Sequence, residues 1–277
     1  MIDKVKMQDL TAEEARQNLT DDAVILLPMG SLEDQGVHAP MGDYLAAERV
    51  ALDMAQAARA EGVPTFVAPV IPFGGKDYFD SSHGGISLRL STLIAVIDDM
   101  IDGLVRHGLR KILILNGHAG NVPAITEVTM RWRQSHGIFI PSMYLWQIAY
   151  GLLPGILGAE TAAKSSGHGG DPLTSMCLHY YPDLVRPDLM VAPATGGKAL
   201  GMDIGGYAHI QYDGAKIQAP VYASETAPDG IWMGDPALSR AETGAALSAR
   251  LCEIGAGLIR DHIAPGIPDG SGLPRRS

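Results

Sequence analysis

Cysteine is nearly absent from this chain: Cys177 and Cys252 are the only two among 277 residues. They lie far apart, without CxxC spacing and among apolar neighbours. That excludes a disulfide framework and fits buried thiols in a reducing compartment. Basic residues are also in deficit, 21 against 31 acids, for a formal net charge of −10. With no basic face to answer phosphate charge, nucleic acid is not an expected partner. No apolar run reaches membrane-spanning length, and the start Met1-Ile2-Asp3-Lys4-Val5-Lys6 has no signal-peptide core. The expectation is a cytoplasmic protein with no membrane partner. There is no Gly-x-Ser-x-Gly nucleophile elbow, which counts against serine chemistry. The glycines at 167 to 170 lack the Lys-Ser/Thr pair of a phosphate-binding loop. No internal repeat and no linker divides the chain, so one domain over 1–277 is expected, with a frayed Pro/Gly/Arg tail from about Ala264.

What is present is an ordinary globular composition, 46% hydrophobic and 19% charged, with length enough for a sizeable core. Gln8 to Leu19 reads as a helix opened by a capping box at Thr11 and Glu14. Apolar runs at Ala23 to Pro28, Pro64 to Ile71, Lys111 to Leu115 and Gly137 to Leu145 read as strands. Helical patterns follow at Tyr44 to Glu61, Ser91 to His107 and Val122 to Ser135. Glu160 to Asp171 reads as a polar Gly-rich loop opening a helix at Pro172 to Tyr180. Val191 to Val221 has no clear assignment. Asp235-Pro236 opens a last long helix, Ala237 to about Asp261. Strand and helix alternate, with polar Gly-rich loops after the strands. That predicts an α/β fold with a mostly parallel central sheet.

The stretch from Pro28 to Tyr44 concentrates chemistry. It follows a buried strand, precedes a helix, and carries Glu33, Gln35, His38 and Asp43 between glycines and prolines. The carboxyl edge of a parallel strand is where such sites are built. Two further loops supply Asn116 and His118, then His168 and Asp171. Carboxylates and imidazoles drawn from separate loops fit a hydrolytic Zn, Mn or Fe site of one or two ions better than a nucleophilic triad. His38 and Asn116 are read as ligands or as supports that orient them. The long loop from Pro72 to Gly85 is expected to be functional. Its Lys76, Tyr78 and His83 are candidate contacts to a small-molecule substrate, with surface solvation or a plain turn as the alternative. His107, His136, His179, His209 and His262 read as structural.

These motifs carry a resemblance. The run Gly30-Ser31-Leu32-Glu33-x-x-Gly36-x-His38-x-Pro40, the motif Asn116-Gly117-His118-x-Gly120-Asn121 and His168-Gly169-Gly170-Asp171-x-x-Thr174-Ser175 resemble the creatininase (creatinine amidohydrolase) family in order and over nearly the whole chain. Gly85-Ile86-Ser87-Leu88 and Gly234-Asp235-Pro236 support it. The resemblance implies a three-layer α/β/α fold, homo-oligomers often hexameric, and a divalent-metal site that hydrolyses cyclic or linear amides. It further implies Glu33, Asp43, His118 and Asp171 as metal ligands and His168 as the group that moves protons, with Glu33 also counted among the catalytic residues. Tyr44, not Asp43, falls in strict register with the family's bridging carboxylate, so assigning Asp43 requires a one-residue shift of the loop. Three positions depart from the pattern. Gln35 stands where the family usually has His, and Gly120 and Gly167 stand where creatininase carries acids. The departures motivate a second expectation, a non-catalytic binding or assembly protein on the same scaffold. The variant Glu33-Asp34-Gln35-Gly36-x-His38-Ala39-Pro40-Met41-Gly42-Asp43-Tyr44 is similar to a subgroup linked to inositol catabolism, including 3-dehydro-scyllo-inosose hydrolase. That subgroup implies opening of an oxidised inositol ring by C–C cleavage.

Overall fold

The structure, a computed structural model, describes residues 2–75, 79 and 83–266. After a single turn at Met7–Asp9, helix α1 spans Ala12–Asn18 and carries the expected capping box. The Glu14 N–H donates to Thr11 Oγ1 at 3.3 Å, and the Glu14 carboxylate accepts from the Thr11 N–H at 2.7 Å. That cap is why the helix starts at Ala12 and not at Gln8.

Strand β1 (Val24–Met29) is buried along its whole length. It leads to α2 (Tyr44–Ala60), β2 (Thr65–Val67), α3 (Leu90–Arg106), β3 (Lys111–Asn116), α4 (Val122–His136) and β4 (Ser142–Tyr144). The four strands form one parallel sheet in the order β2-β1-β3-β4, with Val24 opposite Thr65 and Lys111, and Asn116 opposite Tyr144. β4 is shorter than the apolar run from Gly137 suggests. Gly137 closes α4 at φ 68°, and Pro141 has no N–H to pair.

Because side chains alternate along a strand, the sheet fills two cores. Val24, Leu26, Leu113 and Leu115 pack on the side covered by α2 and by α5 (Leu145–Leu157), α7 (Leu173–Tyr180) and α9 (Ala241–Leu258). Ile25, Leu27, Met29, Ile112 and Ile114 pack on the side covered by α3 and α4. The result is the expected α/β fold, with helices on both faces of a parallel sheet. Burial on both faces is why β1 and β3 read as continuous apolar runs.

Two segments differ from expectation. Helix α6 (Ala159–Ser165) takes up the first half of the stretch from Glu160 to Asp171 expected to be loop, because Gly158 at φ 79° ends α5 and an Ala-rich run follows. The unassigned region is an antiparallel meander of β5 (Lys198–Ala199), β6 (Met202–Gly206), β7 (His209–Tyr212) and β8 (Ala215–Gln218). Its Asp213-Gly214 turn has φ of 49° and 75°, the left-handed pair that a tight hairpin requires. A short helix α8 (Ala223–Thr226) follows. The last long helix also starts later than expected. Asp235 caps the separate turn Pro236–Leu238 through the Ala237 N–H at 2.9 Å, and α9 begins at Ala241. The tail beyond Gly266 lies outside the described residues. No helix among those residues is long and apolar enough to cross a membrane.

Leu26 lies at 0% exposure in the core beneath α2. Leu26→Ala is expected to lower unfolding stability by about 2–5 kcal/mol, read from the shift of the urea midpoint at unchanged slope.

Candidate metal centre

Three loops meet beyond the carboxyl ends of the parallel strands. The first joins β1 to α2, the second joins β3 to α4, and the third runs from Ser166 to Asp171 ahead of α7. Glu33, Asp43 and His118 converge there, all buried, with one ligand atom of each within 4.8 Å of the others. Nδ1 of His118 lies 3.1 Å from Glu33 Oε2 and 3.3 Å from Asp43 Oδ2. One imidazole nitrogen facing two carboxylate oxygens has at most one proton to offer them. The same separations suit atoms bound about 2.0–2.1 Å from one ion. The donor set therefore fits a divalent cation.

Backbone and amide groups fix each member. Asp43 immediately precedes α2, and its Oδ1 accepts from the Ser31 N–H at 2.7 Å. Gly30 makes this approach possible, since a Cβ there would collide with Asp43 Oδ1. Glu33 Oε1 accepts from Gln35 Nε2 at 2.8 Å. Asn116 clasps the His118 backbone twice, donating to its carbonyl at 2.7 Å and accepting from its N–H at 3.0 Å. Asn121 ties the second loop to the first by donating to the Gly30 carbonyl at 3.1 Å, and it accepts from the Gly75 N–H at 2.9 Å. Gly74 lies close against His118, where a side chain would strike the ring. Tyr144 ends β4 beside this cluster. Burial, and then the negative charge of Asp43, push its phenol well above the usual range.

The other candidates fall elsewhere. His38 is buried but points to α7, with Nε2 2.9 Å from Thr174 Oγ1. That hydroxyl donates to the Gly169 carbonyl, so it accepts the proton of His38 Nε2. Burial lowers the His38 pKa. Asp171, at 0% exposure, is not one of the three converging groups. Its Oδ1 accepts from Ser175 Oγ at 2.5 Å and Ser239 Oγ at 2.7 Å, linking α7 to the approach of α9. His83 is exposed and lines a cavity of about 370 Å³ with Asp34, Val37 and Met41. Lys76 and Tyr78 lie outside the described residues.

His168 sits in an aromatic box that the sequence did not reveal. Phe79 stacks on it at 4.3 Å between centroids, and Tyr207 meets it edge-on at 5.6 Å. Tyr207 also packs against Trp232 at 4.9 Å. Tyr207 belongs to the turn between β6 and β7, inside the segment left unassigned, so only the Asp-Gly hairpin signal could have brought it into view. Burial raises the Tyr207 phenol above its usual range, with Tyr150 and Glu33 adding to the shift. The His168 ring nitrogen Nδ1 lies 2.7 Å from the Gly230 carbonyl. A carbonyl only accepts, so Nδ1 carries the proton and Nε2 the lone pair. The neighbouring Gly167 has no space for a side chain, because a Cβ there would overlap the Gly234 nitrogen and the Trp232 carbonyl. Gly167→Ala is expected to destabilise the fold by about 1–3 kcal/mol and to alter the near-ultraviolet dichroism of Trp232, both measured on a thermal scan.

The chain is similar to known proteins over most of its length. The family model described as creatininase, creatinine amidohydrolase, matches residues 8–259. The creatinine amidohydrolase of Pseudomonas putida is 32% identical over 195 residues, which are 63% of this chain and 71% of that protein. A mycofactocin precursor peptide peptidase of Mycobacterium tuberculosis is 26% identical over 185 residues, 59% of this chain and 61% of its own. A mutant creatininase described as of Zn-Zn type superposes with a TM-score of 0.72 at 25% identity, covering 95% of this chain and 99% of its own. A solved Bacteroides fragilis protein reaches a TM-score of 0.80 at 24% identity, covering 97% and 99% of the two chains. Solved creatininases include a manganese form. With the family model running from the first turn to the end of the last helix, this chain belongs to the creatininase family and is a hydrolase of that family.

Proposed function

We propose that the protein is a divalent-metal-dependent hydrolase acting on a ring carbonyl of a small cyclic molecule. The convergence of Glu33, Asp43 and His118 carries this reading. A zinc or manganese ion held by these three, with iron as a further option, would polarise a carbonyl and bring the pKa of a water towards neutrality. The remaining work falls to the chain. Glu33 and Asp43 supply the charge that holds the cation, and the asparagine braces keep His118 aimed at them. His168, with its proton fixed on Nδ1, would use Nε2 to take a proton from water and return it to the leaving group. Phe79 and Tyr207 flank that imidazole with flat apolar surface, which suits a planar ring and keeps bulk water away.

The substrate class is inferred from two positions of the family pattern. The Pseudomonas putida relative is a creatinine amidohydrolase, so a cyclic amide is the first candidate. Gly120 and Gly167 leave this chain without the two carboxylates that the family resemblance places there. A ring with a basic nitrogen loses its counter-charges, whereas an uncharged ring needs none. That observation favours a second reading, hydrolytic C–C opening of an oxidised inositol, which also begins by attack of water on a polarised carbonyl.

A panel of cyclic amides and oxidised inositols, assayed with Zn, Mn and Fe, tests both readings. Turnover that disappears with a chelator and returns with metal is expected. A protein that turns over neither class, while binding such rings, would instead be the non-catalytic member of the family. His118→Ala is expected to bring metal content to background and abolish turnover, and retained metal would remove His118 from the ligand set. His168→Ala is expected to keep its metal while kcat falls about 10²-fold or more.

A further inference from the structure

The groups around Glu33 are unevenly committed, and this bears on how many ions the pocket takes. Glu33 Oε2 and Asp43 Oδ2 both face His118 Nδ1. The second oxygen of Glu33 is turned to Gln35, whose Nε2 lies 2.8 Å away. An ionised carboxylate only accepts, so the amide presents its N–H and not its carbonyl oxygen to Glu33. Gln35 is 3% exposed, and this contact is made out of water. A cation on that side of Glu33 would need a lone pair where the chain places a proton.

No other described side chain makes up the deficit. The second oxygen of Asp43 is taken by the Ser31 N–H. Gly120, in the turn after His118, has no side chain, and the Asn121 amide is committed to Gly30 and Gly75. His38 faces Thr174, and Asp171 holds two serines. Charge leads to the same conclusion. Among the described residues, one divalent ion balances the carboxylates of Glu33 and Asp43, whereas a second would leave surplus positive charge in a dry pocket.

We infer that the pocket holds a single divalent ion, and that the Gln35 amide stands against Glu33 on the side where a second cation would be bound. The inference rests on the metal-dependent reading above and narrows it. Gln35 is a positioning residue: it fixes one oxygen of Glu33 so that the other stays with Asp43 and His118. The mutant creatininase of Zn-Zn type would then differ from this chain in ion count.

The test is metal stoichiometry and needs no substrate. The full chain, stripped with chelator, is titrated calorimetrically with Zn²⁺ and separately with Mn²⁺. Crystals of the loaded protein give anomalous difference maps that locate the ions. One ion per chain, lying between Glu33, Asp43 and His118, is the expected result. Two ions in this pocket would overturn the single-ion inference and leave the metal-dependent reading standing. No ion at saturating metal would overturn both. Gln35→Leu is expected to keep the stoichiometry at one while affinity drops about 10- to 100-fold, and an unchanged affinity would remove Gln35 from its positioning role.

Discussion

Glu33 and Asp43 place two carboxylates out of water at the edge of an apolar sheet, and the surrounding polar architecture answers that placement. Ligand atoms of the two lie within 4.8 Å of each other. Two like charges about 4 Å apart repel by about 4 kcal/mol at an effective dielectric near 20. Burial adds a desolvation penalty for each. The chain supplies N–H groups from Ser31 and Gln35 and one imidazole nitrogen from His118. Those donors are neutral N–H groups and an imidazole, which ease the placement of two carboxylates. A divalent cation is the partner this arrangement calls for, which is why the proposed function centres on it.

Holding such a cluster requires the loops to be as rigid as the strands they follow. The Gly117 N–H pairs with the Met29 carbonyl at 2.8 Å, continuing the β1–β3 ladder one step into the loops. Asn116 and Asn121 then take over where backbone pairing ends, closing the second loop on itself and on Gly30. Glycine at 30, 74 and 117 allows the approach, since a Cβ at any of them would crowd Asp43, His118 or Ala47. The site inherits its precision from the sheet through this unbroken chain of hydrogen bonds.

Much of this was legible in the residues, for reasons that differ by element. β1 and β3 announce themselves because both faces are buried and nothing polar interrupts them. The meander does not, because its strands are short, rich in glycine and partly exposed. The loops that hold Glu33, Asp43 and His118 could be named because each follows a strand and is marked by glycine; the ligand set, with Asp171 in it, comes from the family resemblance. The direction in which a side chain turns is another matter. His38 and Asp171 sit in the same motifs as the converging residues. Yet one faces Thr174 and the other faces Ser175 and Ser239, partners far away in sequence. Tyr207 and Phe79 meet His168 only through tertiary packing.

The same distinction explains the surroundings of His168. Gly167 and Gly234 let two backbone segments run in contact, and the Trp232 N–H binds the His168 carbonyl at 2.8 Å while the Gly230 carbonyl holds the ring. An acidic side chain at 167 is sterically incompatible with that contact. His168 is therefore oriented by a carbonyl dipole. A carbonyl selects the tautomer as a carboxylate would, but it brings no full negative charge to stabilise an imidazolium. The single cation inferred for the pocket is consistent with the neutral amide at 35 and the carbonyl-held imidazole: each lowers the amount of charge the pocket contains.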